Sequence, residues 1–278
     1  MTPANSSTRG KVYLIGAGPG DPELLTLKAV RALAAADVLL IDDLVDRRVL
    51  EFAPRARVIT VGKRGGCPST PQRFIDKLML RLACEGKIVA RVKGGDPFMF
   101  GRGGEEMMAL QQAGVEVEVV HGITAGIAAP GALGIPVTHR GCSQAVTFVT
   151  GHAQPGTRVN WRALALSGST LVIYMGIGNL REITGELLVA GLASGTPAAA
   201  IQHGTLPAQR QLVSTLAQLA DAVEQAGLGS PAIIVIGAVA ALARQPRSSD
   251  RAIPASGAGA VDDQHTRPRL GPLARWQR

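Results

Sequence analysis

A chain of 278 residues that is 46% hydrophobic, 18% charged and 3% aromatic is long enough to bury one or two cores and too apolar for a disordered class. The scarcity of rings argues against binding single-stranded nucleic acid by base stacking. Three cysteines, Cys67, Cys84 and Cys142, with no C-x-x-C pair, supply neither a disulfide framework nor a zinc site, and read as free thiols in a reducing cytoplasm. The net charge is +8, but seven arginines against three aspartates after Ala243 carry half of it, in a Pro-, Gly- and Ser-rich stretch that reads as a disordered tail over 244–278. What remains suits a polyanionic small molecule as well as a nucleic acid.

The opening "MTPANSSTRG" is polar, lacks a signal-peptide core, and reads as a flexible tail over 1–9. Residues 12–15 form an apolar strand candidate that runs straight into "GAGPGD" at 16–21. Apolar positions at helical spacing predict a helix over 23–36, with Asp21 or Thr26 as its cap. Strands follow at 38–41, ending in Asp42, and at 58–61, ending in "GKRGG". Pro71 suits the first turn of a helix bearing Ile75, Leu78 and Leu82 on one face. A strand at 88–92 leads into "KGGDP", a helix follows until Gly114 stops it, and a strand at 115–120 ends in "HGITAG".

Residues 129–143, "APGALGIPVTHRGCS", read as a hinge between two halves, 10–140 and 145–243. In the second half "AVTFVTGH", "TLVIYMG", "AAAIQHGT", a stretch near Leu212 and "AIIVIG" read as strands, and 179–190 and 216–226 as helices. The longest apolar run, near 232–243, is shorter than the roughly 20 residues that span a bilayer. No membrane partner is therefore expected.

In the first half strands alternate with helices, which implies a mostly parallel sheet with ligands at the carboxyl ends of the strands. The turns "GAGPGD", "IDD", "GKRGG", "KGGDP" and "HGITAG" all follow strands, so they converge on one edge. "GAGPGD", with Asp42 some twenty residues on, resembles a dinucleotide-binding turn. Two features oppose that reading. Asp21 stands at the third glycine position, where its charge repels a pyrophosphate, and Pro19 removes a backbone donor. A plain strand–helix turn is the bland alternative.

In "KGGDPFMFGRGGEE", at 93–106, glycine pairs allow close approach and Phe98, Met99 and Phe100 can cover an apolar ligand; the alternative is a loop tucking its rings into the core. Thr124 can cap a helix or present its hydroxyl to a ligand. Asp42 and Lys63, each just past a strand, can move protons or be ordinary solvated charges. No His, Cys and acid spacing resembles a metal site.

Taken in order across 10–243, the runs "VYLIGAGPGDPELLTLKAVRAL", "ADVLLIDDLV", "VGKRGG", "RVKGGDPFMFGRGGEE", "GITAGIAAPGALGIPVTHR", "VTFVTGH", "VIYMG" and "PAIIVIG" resemble the tetrapyrrole methylase family. The resemblance implies two α/β domains with the active cleft between them, in a homodimer. It implies S-adenosyl-L-methionine as methyl donor, S-adenosyl-L-homocysteine as product, and no metal. By motif position Pro19, Gly94, Gly95, Asp96, Met99, Thr124, Ala125, Met175 and Gly204 line the cofactor site, Asp42 is the proton acceptor and Lys63 the donor.

Within the family, "GKRGG", "GGDPFMFGRGGEE", "GIPVTHR" and "YMG" point to members that methylate uroporphyrinogen III at C2 and C7 to give precorrin-2 by way of precorrin-1. Arg64, Arg91, Arg102 and Arg140 are then candidate partners for the substrate's carboxylates. The sequence departs from the family at His121, where Pro is common before "GIT", and at Gln202-His203-Gly204, often Glu-Asn-Gly, which makes Gly204 the weakest assignment. The dehydrogenase and ferrochelatase module of fused sirohaem synthases is not expected. Competing readings are a methylase of another precorrin, an RNA methylase, an NAD-dependent oxidoreductase and a non-catalytic tetrapyrrole binder.

Overall fold

The apolar run before "GAGPGD" forms β1 (Lys11–Gly16), and it is the middle of a sheet rather than an edge. The computed structural model describes residues 9–62, 70–152 and 156–244; the tails expected at the two ends, Lys63, Arg64 and Cys67 lie outside these apart from Arg9 and Arg244. β2 (Val38–Ile41), β3 (Arg57–Thr60), β4 (Val89–Lys93) and β5 (Glu116–Val120) join β1 in the order β3-β2-β4-β1-β5, every pair parallel. In a dinucleotide-binding fold the first strand pairs with the second. Here β4 lies between them, so the resemblance of "GAGPGD" to a dinucleotide turn does not extend to the sheet.

Both faces of this sheet are covered, as an all-parallel sheet requires. Strand residues alternate between the faces. Ile15, Leu39, Ile41, Ala90 and Val92 pack toward α1 (Leu27–Ala35) and a 3-10 helix at Arg47–Phe52. Val12, Leu14, Val38, Leu40 and Val89 pack toward α2 (Gln72–Cys84) and α3 (Gly103–Gln112). The helix expected over 23–36 is two pieces. Asp21 caps a 3-10 helix at Pro22–Leu24, and Thr26 caps α1 by accepting the Ala29 N–H at 3.1 Å.

The second sheet has the order β6-β7-β10-β8-β9, built from β6 (Val146–Thr150), β7 (Thr170–Tyr174), β8 (Pro197–Gln202), β9 (Arg210–Thr215) and β10 (Ala232–Ile236). Only β6 and β7 are parallel; the other pairs are antiparallel. α5 (Trp161–Leu166), α6 (Leu180–Val189) and α7 (Leu219–Gln225) cover one face. The other face is covered by α4 (Ala125–Ala132) and a 3-10 helix at Ala238–Leu242. α4 follows β5 of the first sheet yet packs on the second, where its Ala129, with Leu133 and Ile135 just past its end, is buried against Val172, Ile201 and Ile233. The Gly/Pro-rich segment read as a hinge thus begins as the last turn of a packed helix, with Pro130 inside it.

The turns at the carboxyl edge of the first sheet meet main chain to main chain. A Cβ on Gly16 would sit 2.5 Å from the Gly95 carbonyl oxygen and 2.6 Å from the Gly122 nitrogen. Gly16→Ala therefore lowers stability by about 1–3 kcal/mol, the range for overpacking. Gly104→Ala, in α3 with nothing within 4 Å of its Cβ, is neutral or stabilising by up to about 1 kcal/mol. Urea titrations of the two variants check the contrast; equal midpoints would refute it.

Candidate active site

The closure begins at the first glycine turn. Gly18 and Gly95 form an antiparallel bridge, with the Gly18 N–H donating to Gly95 O at 3.2 Å and the Gly95 N–H to Gly18 O at 2.7 Å. Both take the left-handed backbone that glycine favours, φ 74° and 68°. Pro19 is thereby held at the tip of its turn, beside Gly94, Gly95 and Asp96 of the next. Asp96 secures the third turn: Oδ2 accepts the Gly122 N–H at 3.1 Å and contacts His121 Nδ1 at 2.9 Å, while Oδ1 accepts the Phe98 N–H at 2.8 Å. His121, the departure from the family pattern, also stands edge-on to Phe98 with centroids 5.8 Å apart. Asp21 is spent locally: Oδ1 accepts the Glu23 N–H at 3.0 Å, so no phosphate role falls to this turn.

The second sheet reaches the same place through Tyr174, at the end of β7. Its hydroxyl lies 2.6 Å from Thr124 Oγ1 and accepts the Gly126 N–H at 2.7 Å. Thr124 stands at the N-cap position of α4, but its side chain makes no cap bond; its hydroxyl is committed to Tyr174 instead. Met175 follows directly, 51% exposed at φ 53°. From β8, Gly204 packs so closely on Ala129 of α4 that a Cβ would collide, and Thr205 Oγ1 accepts the Asp21 N–H at 3.2 Å. The candidates Pro19, Gly94, Gly95, Asp96, Thr124, Ala125, Met175 and Gly204 thus lie on interconnected turns, and Met99 belongs to the turn whose N–H bonds Asp96 O at 3.2 Å. Every described non-glycine residue with positive φ lies in these turns or just before α3: Phe100, Arg102, Met175, His203 and Thr205. Such backbone persists only where the surroundings enforce it.

Asp42 lies at the same edge, just past β2, and Leu44 two residues on touches the Cβ position of Gly94. Its side chain is 27% exposed and joins an ion cluster. Oδ1 pairs with Arg91 Nη2 at 2.6 Å and Oδ2 with Lys93 Nζ at 3.4 Å. Arg91, at 2% exposure, is no partner for substrate carboxylates, contrary to the expectation; it is enclosed between Asp42 and Glu106. Arg102 pairs with Glu105 at 2.6 Å, and Arg140 is exposed. Lys63 and Arg64 lie outside the described residues.

Sequence reasoning missed Lys93, Glu106 and Tyr174. A signal for the first two was available: "VARVK" places two cations on one face of a fully buried parallel strand, which demands buried acids. Among the described residues there is no cluster of three His, Cys, Asp or Glu able to hold a metal, and no helix long and apolar enough to cross a membrane.

This edge is lined by glycine turns, exposed apolar side chains such as Met175 and Ile123, and three acids, Asp21, Asp42 and Asp96, each already bonded. It suits a cationic ligand with a flat apolar part better than a phosphate, and so fits a sulfonium nucleoside. The description "Tetrapyrrole (Corrin/Porphyrin) Methylases" matches residues 11–220, and the chain belongs to this family. Among its relatives is the uroporphyrinogen-III C-methyltransferase of Pseudomonas aeruginosa, 56% identical over 83% of this chain and 94% of that protein. The Thermus thermophilus uroporphyrin-III C-methyltransferase, solved with S-adenyl homocysteine, superposes with a TM-score of 0.73 at 41% identity, over 84% of this chain and 100% of that one. A cobalt precorrin-4 methyltransferase gives a TM-score of 0.75 at 30% identity, over 83% and 95%.

Burial raises the Tyr174 phenol above the ordinary value near 10, with the Thr124 and Gly126 contacts acting the other way. A folded-state pKa above the unfolded one makes this contribution to stability complete below about pH 10 and lost as pH rises through the shifted value. In a tyrosinate absorbance titration the Tyr174 step, above pH 10, disappears in Tyr174→Phe, and stability above pH 10 becomes less pH-dependent. A Tyr174→Phe curve superposing on the wild type would refute this.

Proposed function

We propose that this chain transfers methyl groups from S-adenosyl-L-methionine to C2 and then C7 of uroporphyrinogen III, giving precorrin-1 and then precorrin-2 for sirohaem or cobalamin synthesis. The observation that carries the reading is 56% identity to a uroporphyrinogen-III C-methyltransferase across nearly the whole of that relative. The likeness to a cobalt precorrin-4 methyltransferase, at 30% identity, makes a later precorrin the second reading.

When bound, the donor supplies an electrophilic methyl group on a sulfonium. The chain's own part is alignment and proton handling. Pro19, Gly94, Gly95, Asp96, Met99, Thr124, Ala125, Met175 and Gly204 hold the donor, with main chain at the glycine turns and apolar cover from the methionines. The acceptor is an electron-rich pyrrole carbon, so no activated side-chain nucleophile is needed, and positioning supplies most of the rate. Methylation leaves the macrocycle cationic. Asp42 takes a proton from it, the C–H or N–H electron pair returning to the ring, and Asp42 becomes a neutral acid. Lys63 is the proton donor by motif position. The functional unit is a homodimer in the cytoplasm, with the two halves meeting at the cleft and no membrane or nucleic-acid partner.

Incubation with uroporphyrinogen III and methyl-labelled S-adenosylmethionine tests the reading. Two labels per macrocycle are expected; label that stops at one, or that enters only a later precorrin, overturns it. Asp42→Asn should bind the donor normally and lose about 100- to 10,000-fold in turnover, the worth of a general base. Wild-type turnover would remove Asp42 from its role while leaving the family intact. Light scattering should give twice the 28.8 kDa chain mass.

A further inference from the structure

Behind Asp42 lies a closed set of charges. Lys93 Nζ stands 3.4 Å from Asp42 Oδ2 and 3.4 Å from Glu106 Oε1, bridging the two acids. Arg91 does the same, with Nη2 on Asp42 and Nε on Glu106 at 3.1 Å. Gln72 of α2 donates to Glu106 Oε1 at 3.0 Å and to Asp76 Oδ1 at 2.9 Å. Glu106 is 0% exposed, and its other oxygen, Oε2, is buried without a hydrogen-bond partner. Among the described residues, Asp43 is the chain neighbour of Asp42, Asp76 shares Gln72 with Glu106, and the Arg102–Glu105 pair lies within one turn of Glu106 on the chain.

Strand register dictates this arrangement. Leu40 of β2 lies opposite Arg91 of β4, so two residues further the Asp42 and Lys93 side chains share that face, and α3 brings Glu106 to the two cations. Burying three charges and partly burying a fourth does little for stability, since apolar residues of the same volume serve a fold as well or better. Glu106 is the member whose burial is complete and whose satisfaction is incomplete. Only Asp42 of the four reaches the open side, at 27% exposure, and Glu106 meets it only through the two cations.

Resting on the reading of Asp42 as proton acceptor, we propose that Glu106 is a positioning residue that sets how readily Asp42 takes a proton, by drawing on the same two cations from behind. Arg91 and Lys93 both pair with the Asp42 carboxylate. Glu106 competes for each of them through Oε1. With Glu106 ionised the four charges cancel; without its charge Asp42 faces two cations alone.

The test reads the pH dependence of kcat with uroporphyrinogen III for the full-length protein. Glu106→Gln keeps an acceptor for Arg91 but removes the charge: the acid limb should move down by about one pH unit and the plateau should fall about tenfold, with KM for uroporphyrinogen unchanged. Lys93→Met removes a cation and should move the limb up. Opposite displacements are not a result that general loosening of the site produces. Glu106→Asp, which keeps the charge, should restore the limb toward wild type, and with Lys93→Met it carries the test if Glu106→Gln does not fold. If Asp42→Asn is inactive and the limb moves in none of these variants, the inference about Glu106 is overturned while Asp42 keeps its role. If Asp42→Asn turns over normally, both fall together.

Discussion

The carboxyl edge of the first sheet hangs on one steric constraint: main-chain atoms of Gly16, Gly95 and Gly122 lie so close that neither Gly16 nor Gly122 can carry a Cβ. The strands that feed these turns, β1, β4 and β5, are neighbours in the sheet, so their ends arrive side by side. The bridge between Gly18 and Gly95 then fixes the first two turns, and Asp96 fixes the third. Pro19 and Thr124 are therefore set in place by backbone geometry, with the Asp96 carboxylate serving as a strut. Rigid placement of this kind is what a reaction dependent on alignment requires.

The same sheet carries a second constraint of opposite character. β4 is buried along its whole length, yet two of its five residues are cations. They are tolerated because Asp42 and Glu106 reach them from β2's end and from α3. On this face Val12 and Val38 flank Val89, and charge enters from the middle of β4 onward, with Arg91 between Leu14 and Leu40 and Lys93 at the end nearest the turns. Packing holds the start of the strand and electrostatics its second half, which leads to where the chemistry is proposed.

Much of the fold is legible in the sequence because it is written in local terms. The strands of the first half follow from short apolar runs ended by glycine turns, and their convergence follows from parallel pairing alone. Asp21 at the third glycine position argues against a phosphate cradle, and the structure gives that carboxylate a positive role: it caps its own 3-10 helix. What was not legible depends on partners remote in the chain. Thr124 reads as a helix cap or as a hydroxyl offered to a ligand, yet Tyr174, fifty residues on, takes that hydroxyl. Arg91 looked available to a polyanion until Glu106 and Asp42 enclosed it. The antiparallel pairing of β10, β8 and β9 has no local signature either, since each strand alone reads like those of the first sheet.

α4 belongs by connectivity to the half that ends at β5 and by packing to the half that begins at β6. The unit of sequence and the unit of burial are therefore out of step by one helix. A segment boundary drawn between the two sheets, at residue 144, would separate the second core from Ala129, Leu133 and Ile135, which close its open face. A cut before Thr124 would instead leave Tyr174 bonded within its own fragment. For anyone exchanging halves between relatives, the seam that keeps each core whole runs through the "HGIT" turn, upstream of the glycine- and proline-rich stretch where the chain looks easiest to divide.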